Sequence, residues 1–144
     1  MDYEVGSIGR VFIARIDHDE DLLDELVKLA RSEEIEQAFF MLIGAVKNMQ
    51  VVTGPKEDTV PPDPMWHSIA GACEILGIGN ILRKDGNPSI HLHAALGKGG
   101  DVTVGCLRDS VDAYLTTEAV IFEISGIAAE RVYDDMYGIA RMVL

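Results

Sequence analysis

The stretch SIHLHAALGKGGDVTVGCL, residues 89–107, holds the side chains best suited to chemistry. His91 and His93 stand one residue apart, so on a strand both project from one face while Ile90, Leu92 and Ala94 take the other. Gly99-Gly100 is the natural point of reversal. A two-residue turn there pairs Lys98 with Asp101, and a four-residue loop over 98–101 pairs Gly97 with Val102; either one sets Ala95 opposite Val104 and His93 opposite Cys106. Directly opposed Cβ atoms lie roughly 4.5–5.5 Å apart and diagonal ones about 7–8 Å, a span that two imidazoles and a thiolate can close around one ion. Two nitrogens and one sulfur suit Zn²⁺, one per chain, better than softer or redox-active metals. The fourth tetrahedral position is open to water, a small ligand, His67 or a group from another subunit. Without an ion the same residues are a hydrogen-bonded histidine pair at a sheet rim and a small buried thiol. A slip of one residue in register would take Cys106 off the histidines' face.

Other candidates are weaker. His67 follows a proline-rich loop beside Trp66, the only tryptophan, and either packs there or serves as a ligand or lid residue. Glu118, within TTEAVIF, is a general base for metal-bound water or, more simply, a buried carboxylate paired to an arginine or a backbone donor. The GIGN segment at Gly77–Asn80 lacks the third glycine and following helix of a dinucleotide fingerprint and reads as a strand with close backbone approach. Asp134, Asp135 and nearby Arg131 read as an exposed turn. The order of residues offers no Ser-His-Asp arrangement and no phosphate-cradling loop, so no catalytic residue is assigned.

The elements that must position these groups are mostly strands. RVFIARI, Arg10 to Ile16, is short, branched and bounded by Gly9 and DHDED. DEDLLDELVKLARSEE repeats Leu22, Leu23, Leu26, Val27 and Ala30 at helical spacing, with Asp19, Glu20 and Asp21 at the positive end of the helix dipole. EQAFFMLIGAV and NMQVVTG read as two strands, the first apolar enough to be buried on both faces. Residues 54–66, GPKEDTVPPDPMW, hold four of the five prolines and read as an irregular loop that cannot continue a sheet. Strand segments follow: SIAGACEILGIGNIL, the turn KDGNP, SIHLHAAL, VTVGCL and the long apolar AYLTTEAVIFEISGIA. One helix among many strands with short turns argues against alternating βαβ units. It predicts an α+β domain, a mainly antiparallel sheet with a flanking helix, over residues 1–144.

Composition bounds the function. The 144 residues suffice for one core without disulfides or a structural metal. Hydrophobic residues make up 48% and mean hydropathy is +0.15, which leaves room for a subunit interface. Twenty-four Asp and Glu against 12 Lys and Arg give a net charge of -12, the wrong sign for counterion release on a phosphate backbone. The longest apolar run, AFFMLIGAV, is far short of the roughly 20 residues of a spanning helix, and MDYEVGSIGR lacks the pattern of a secretory signal. A cytoplasmic protein with no membrane contact is expected, in which a reducing compartment keeps Cys73 and Cys106 free.

The stretch His91 to Glu123 resembles the PPC domain, the plant and prokaryote conserved domain. In that family an H-x-H strand precedes a turn, a Gly-Gly-His-Leu segment and a strand carrying a glutamate. LIGAV at 42–46 and EILGIGNI at 74–81 are also similar to family segments, and the likeness runs from about Arg10 to Leu144. His91 and His93 match the paired histidines and Glu118 the glutamate; Cys106 stands where a third histidine is common, and Val104-Gly105 where the family has Gly-Gly. Cysteine is one of the few residues that replace histidine on zinc. The resemblance implies a compact α+β subunit of a homotrimer, and three ligands without other catalytic machinery point to a metal-binding module with a regulatory or assembly role. A zinc-dependent enzyme acting on a small molecule at the His/His/Cys site is the alternative. Plant members carry the domain behind AT-hook tails, which makes a DNA-associated transcriptional regulator a second alternative; the charge and the lack of an AT-hook segment in these 144 residues weigh against direct nucleic-acid binding.

Overall fold

Runs of branched and aromatic residues separated by glycine and aspartate turns become eight strands, and the leucine-periodic segment becomes the only helix. The computed structural model describes residues 1–144. In chain order the elements are β1 (Ser7–Asp17), α1 (Leu22–Ser32), β2 (Ala38–Pro55), β3 (Pro64–Lys84), β4 (Asn87–Lys98), β5 (Asp101–Arg108), β6 (Asp112–Ser125), β7 (Glu130–Asp134) and β8 (Ile139–Val143). They form one sheet, β1-β6-β2-β5-β4-β3-β7-β8, antiparallel except for the β3–β7 contact. The mainly antiparallel sheet and the flanking helix of the α+β expectation are present. With eight strands against eleven helical residues, the fold is mainly β.

The sheet bends back on itself through β2. Its first half pairs with β6 and its last residues pair with β5, through Gln50–Arg108, Val51–Leu107 and Val52–Cys106, while its other edge runs along β3. Because β3 pairs with β4 and β4 with β5, these four strands close a ring. The two segments expected as separate strands are therefore one, with an irregularity at Asn48, whose φ of 54° shifts the register between Lys47 and Met49. The proline-rich stretch also departs from expectation. Pairing continues to Val52–Trp66 and, after a register shift, to Pro55–Pro64, so the irregular part shrinks to that shift and the hairpin tip. Prolines at the far end of a hairpin forfeit few ladder hydrogen bonds.

Asp21 starts α1 by accepting from the Asp24 amide at 2.8 Å through Oδ1, and its other oxygen accepts from the Val111 amide at 3.0 Å. Leu22, Leu26 and Ala30 enter a core with Phe40, Leu42, Leu92 and Ile121. This core lies on one side of β2 only. Phe39, Met41 and Ile43 point outward and are exposed, so β2 is not buried on both faces as its composition suggested. Chain laterals align the outward residues in rows. One row runs Ile13, Val120, Met41, Ile78, His93 and Cys106; the next runs Val11, Phe122, Phe39, Asn80 and His91. The turn expected at Asp134 and Asp135 is present, as the reversal between β7 and β8 with Asp135 exposed, but Arg131 lies on β7 and is buried. The final long strand ends at Ser125, not Ala128.

Candidate metal centre

The β4–β5 hairpin has the register that the Gly99-Gly100 turn dictates: Lys98 pairs with Asp101, Ala95 with Val104 and His93 with Cys106. Both turn glycines have positive φ, 60° and 97°, a conformation that costs other residues and that glycine adopts freely. Leu92, Ala94 and Leu96 enter the core, and the opposite parity carries His91 and His93 outward. The ligand atoms of His91, His93 and Cys106 lie within 4.8 Å of one another. The two histidine Nε2 atoms are 3.1 Å apart, with the ring planes at 82°. Around a tetrahedral zinc with bonds of about 2.0–2.3 Å, two ligand atoms sit about 3.3–3.6 Å apart. The nitrogens are within a few tenths of an ångström of that spacing, and a side-chain adjustment within the 4.8 Å cluster brings the sulfur in. The donor set, two imidazoles and a thiol, fits a zinc ion.

The electrostatics favour neutral imidazole. Burial lowers the His91 pKa to about 4, helped by the charges of Arg131, His93 and Arg108, so its ring is free to donate a lone pair at neutral pH. Cys106 is 4% exposed, and burial raises its thiol pKa against the opposing pull of Arg108 and Arg131. In the absence of an ion the thiol keeps its proton and one histidine donates to the other.

The remaining candidates lie elsewhere. His67 pairs in register with Val51, whose other partner is Leu107, so it belongs to the parity opposite Cys106; it lines a cavity with Cys73 and Lys98. Within the chain it is not among the clustered ligands. Glu118 occupies the row Arg15, Glu118, Ile43, Leu76, Ala95, Val104, three strands from β4 and hence roughly 14 Å away at the usual strand spacing. The carboxylate expected to be buried and paired is exposed and makes no ion pair, because outward parity leaves it on an open face. Two residues of the site were not singled out from the sequence. Asn80, beside His91 in register, accepts from the Arg131 guanidinium at 2.7 Å. Arg108 stands two residues beyond Cys106 on the same strand. Alternation along VTVGCLR could have found Arg108; the long-range Asn80–Arg131 contact left no local signal.

A family model for the Plants and Prokaryotes Conserved (PCC) domain matches residues 3–125. Among solved structures, a metal-containing protein from Archaeoglobus fulgidus is similar over 100% of both chains, with 27% identity and a TM-score of 0.88. A plant- and prokaryote-conserved (PPC) protein from Pyrococcus horikoshii has 30% identity over 97% of this chain and 95% of its own, with a TM-score of 0.85. A protein from Ralstonia eutropha, provisionally described as DNA-binding, covers 92% of this chain and 90% of its own at 22% identity and a TM-score of 0.73, a likeness of fold alone. No curated protein sequence matches the chain.

Proposed function

This chain belongs to the Plants and Prokaryotes Conserved (PCC) domain family, and from that premise we propose that it is a homotrimeric regulatory or assembly module that binds one zinc ion per chain through His91, His93 and Cys106. The observation that carries the reading is the convergence of two imidazole nitrogens and one sulfur within 4.8 Å on adjacent strands. The metal-containing relative from Archaeoglobus fulgidus, similar over its whole length, supports it. Bound zinc would supply a fixed positive charge and a Lewis-acidic position; the chain's part is to hold the His91 and His93 nitrogens close together and to surrender the Cys106 proton. The trimer draws support from the open sheet face, where Ile13, Met41, Ile43, Leu76 and Ile78 are exposed together, an apolar area that a soluble monomer rarely leaves uncovered.

The enzymatic alternative lacks its base. Glu118 is three strands from the histidines and pairs with β2 at Ile43, nine residues from the Val52–Cys106 pair, and His67 is on the opposite parity, so neither reaches a water held there within this chain. The DNA-associated alternative faces the charge of -12. Elemental analysis of protein purified without chelators and supplied with zinc tests the reading directly. About one zinc per chain is expected, and His93→Ala should abolish its retention while the far-ultraviolet circular dichroism stays that of a folded sheet. Wild-type protein that folds normally yet holds no zinc would reduce the site to a histidine pair.

A further inference from the structure

Next to the candidate metal centre is a cavity of about 370 Å³ to which His91 contributes one wall. Its other polar lining residues are Lys84, Arg108, Arg131, Ser89 and Tyr133. No carboxylate lines it, although the chain has twice as many Asp and Glu as Lys and Arg. Most cations elsewhere on the surface are neutralised: Arg10, Arg15, Lys28, Lys47, Lys56 and Arg141 all form ion pairs with carboxylates. Lys84, Arg108 and Arg131 form none. Their concentration in one carboxylate-free cavity is therefore specific to this place.

Arg131 supplies an independent observation. It is only 9% exposed, held by Asn80 Oδ1 at 2.7 Å and by the Ala140 carbonyl at 3.3 Å, and its Nε is buried with no acceptor. A guanidinium stays charged in any protein environment, so burying one with a donor unfilled and a like charge, Arg108, nearby is costly. An oxyanion in the cavity would offset the like charges of Arg131 and Arg108 and give the buried guanidinium an anionic partner, since guanidinium matches carboxylate and phosphate geometry. Ser89 and Tyr133 add neutral hydroxyl donors. We propose that this cavity is an oxyanion subsite that takes the phosphate or carboxylate group of a small molecule, with Arg131 as its buried anchor and Arg108 and Lys84 at its rim. Through the shared His91 a ligand held there lies beside the metal centre; this adjacency, unlike the subsite itself, rests on the zinc reading.

The concave shape and the small number of cations favour a small molecule over a duplex, whose backbone would need a longer basic track. Calorimetric titration with inorganic phosphate and, separately, with succinate in low-salt buffer tests the proposal on zinc-supplied wild type, the Lys84→Ala/Arg108→Ala double variant and His93→Ala, each with its zinc content measured. At least one of the two anions should bind once per chain. Its affinity should fall about tenfold or more in the double variant, compared at equal zinc content because Arg108 also acts on the Cys106 thiol, and saturable binding should persist in His93→Ala. Arg131→Gln, checked for folding by circular dichroism, should abolish it. Anion binding in wild type that carries no zinc would support the subsite while removing the zinc reading. Three results overturn the subsite: no saturation by either anion at millimolar concentration, equal binding by the double variant, or a short DNA duplex that competes for the cavity at lower concentration than either anion.

Discussion

Gly105 is where one methyl group should do most damage to the candidate metal centre. It precedes Cys106 at the seam that closes the ring of strands, where β5 meets β2 through only three register pairs. A Cβ built on Gly105 would overlap the Val52 carbonyl oxygen, lie 2.6 Å from Val51 Cγ1 and stand 3.0 Å from the Val52 carbonyl carbon. Two of those atoms are backbone and cannot rotate aside, and Val51 is fully buried. β5 must therefore move off β2, which unpacks Leu107 and strips hydrogen bonds from the seam. Overpacking costs about 1–3 kcal/mol and each buried backbone group left unpaired a further 1–3 kcal/mol, so Gly105→Ala should destabilise the fold by about 3 kcal/mol. Gly97→Ala is the matched control. It lies on the neighbouring strand, a Cβ there meets nothing within 4 Å, and the change should stay within about 0.5 kcal/mol. Urea unfolding of wild type and both variants measures the difference, and elemental analysis should show Gly105→Ala losing zinc along with the Cys106 position. Equal unfolding midpoints for the two variants would refute the steric argument.

Three further outcomes are expected. Asp21→Ala removes both the α1 cap and the acceptor of the Val111 amide, and should lower stability by about 1–2 kcal/mol in the same unfolding assay. Sedimentation should report about three times the 15.7 kDa chain mass, and Ile78→Asp, placing a charge on an outward residue that is 51% exposed, should shift the protein toward monomer; a wild-type monomer at micromolar concentration would defeat the trimer. The hydrogen bond from Arg10 at 2.8 Å holds the Glu123 carboxyl below its ordinary pKa, so its contribution is present above the unfolded carboxylate range, about 4.3, and is lost as pH falls through the lower folded value; the difference in melting temperature between wild type and Glu123→Gln should therefore shrink as pH drops below about 4.

The His91, His93 and Cys106 cluster was legible because it depends on two local rules. Strand parity puts His91 and His93 together, and the Gly99-Gly100 turn sets Cys106 opposite His93, so no distant contact had to be guessed. The start of α1 was legible for the same reason, from acidic residues ahead of a leucine-periodic run. What escaped depends on distant partners. ERVYD and IARMV are too short and mixed to announce strands, and they exist because they pair with each other beside β3. Arg131 reads as a surface residue until Asn80, fifty-one positions away, accepts its hydrogen bond. The continuity of β2 through Asn48 and its change of partner from β6 to β5 likewise follow from closing the ring, which no window of sequence contains.

The two proposals meet in the charge balance of one sheet face. Zinc held by two neutral imidazoles and one thiolate leaves a net positive charge, and Arg108 and Arg131 act on the same atoms, as their influence on the His91 and Cys106 ionisations shows. Lys84 adds a third positive side chain to the adjoining cavity, in a chain whose total is -12. Assembly through the apolar row that ends in Ile78, His93 and Cys106 would withdraw water from this region and strengthen each electrostatic interaction there. An unbalanced positive cluster becomes harder to sustain as water leaves, and an anion becomes correspondingly more valuable. Metal, trimer and oxyanion should therefore stabilise one another, so that the anion binds more tightly to the zinc-loaded trimer than to the metal-free chain.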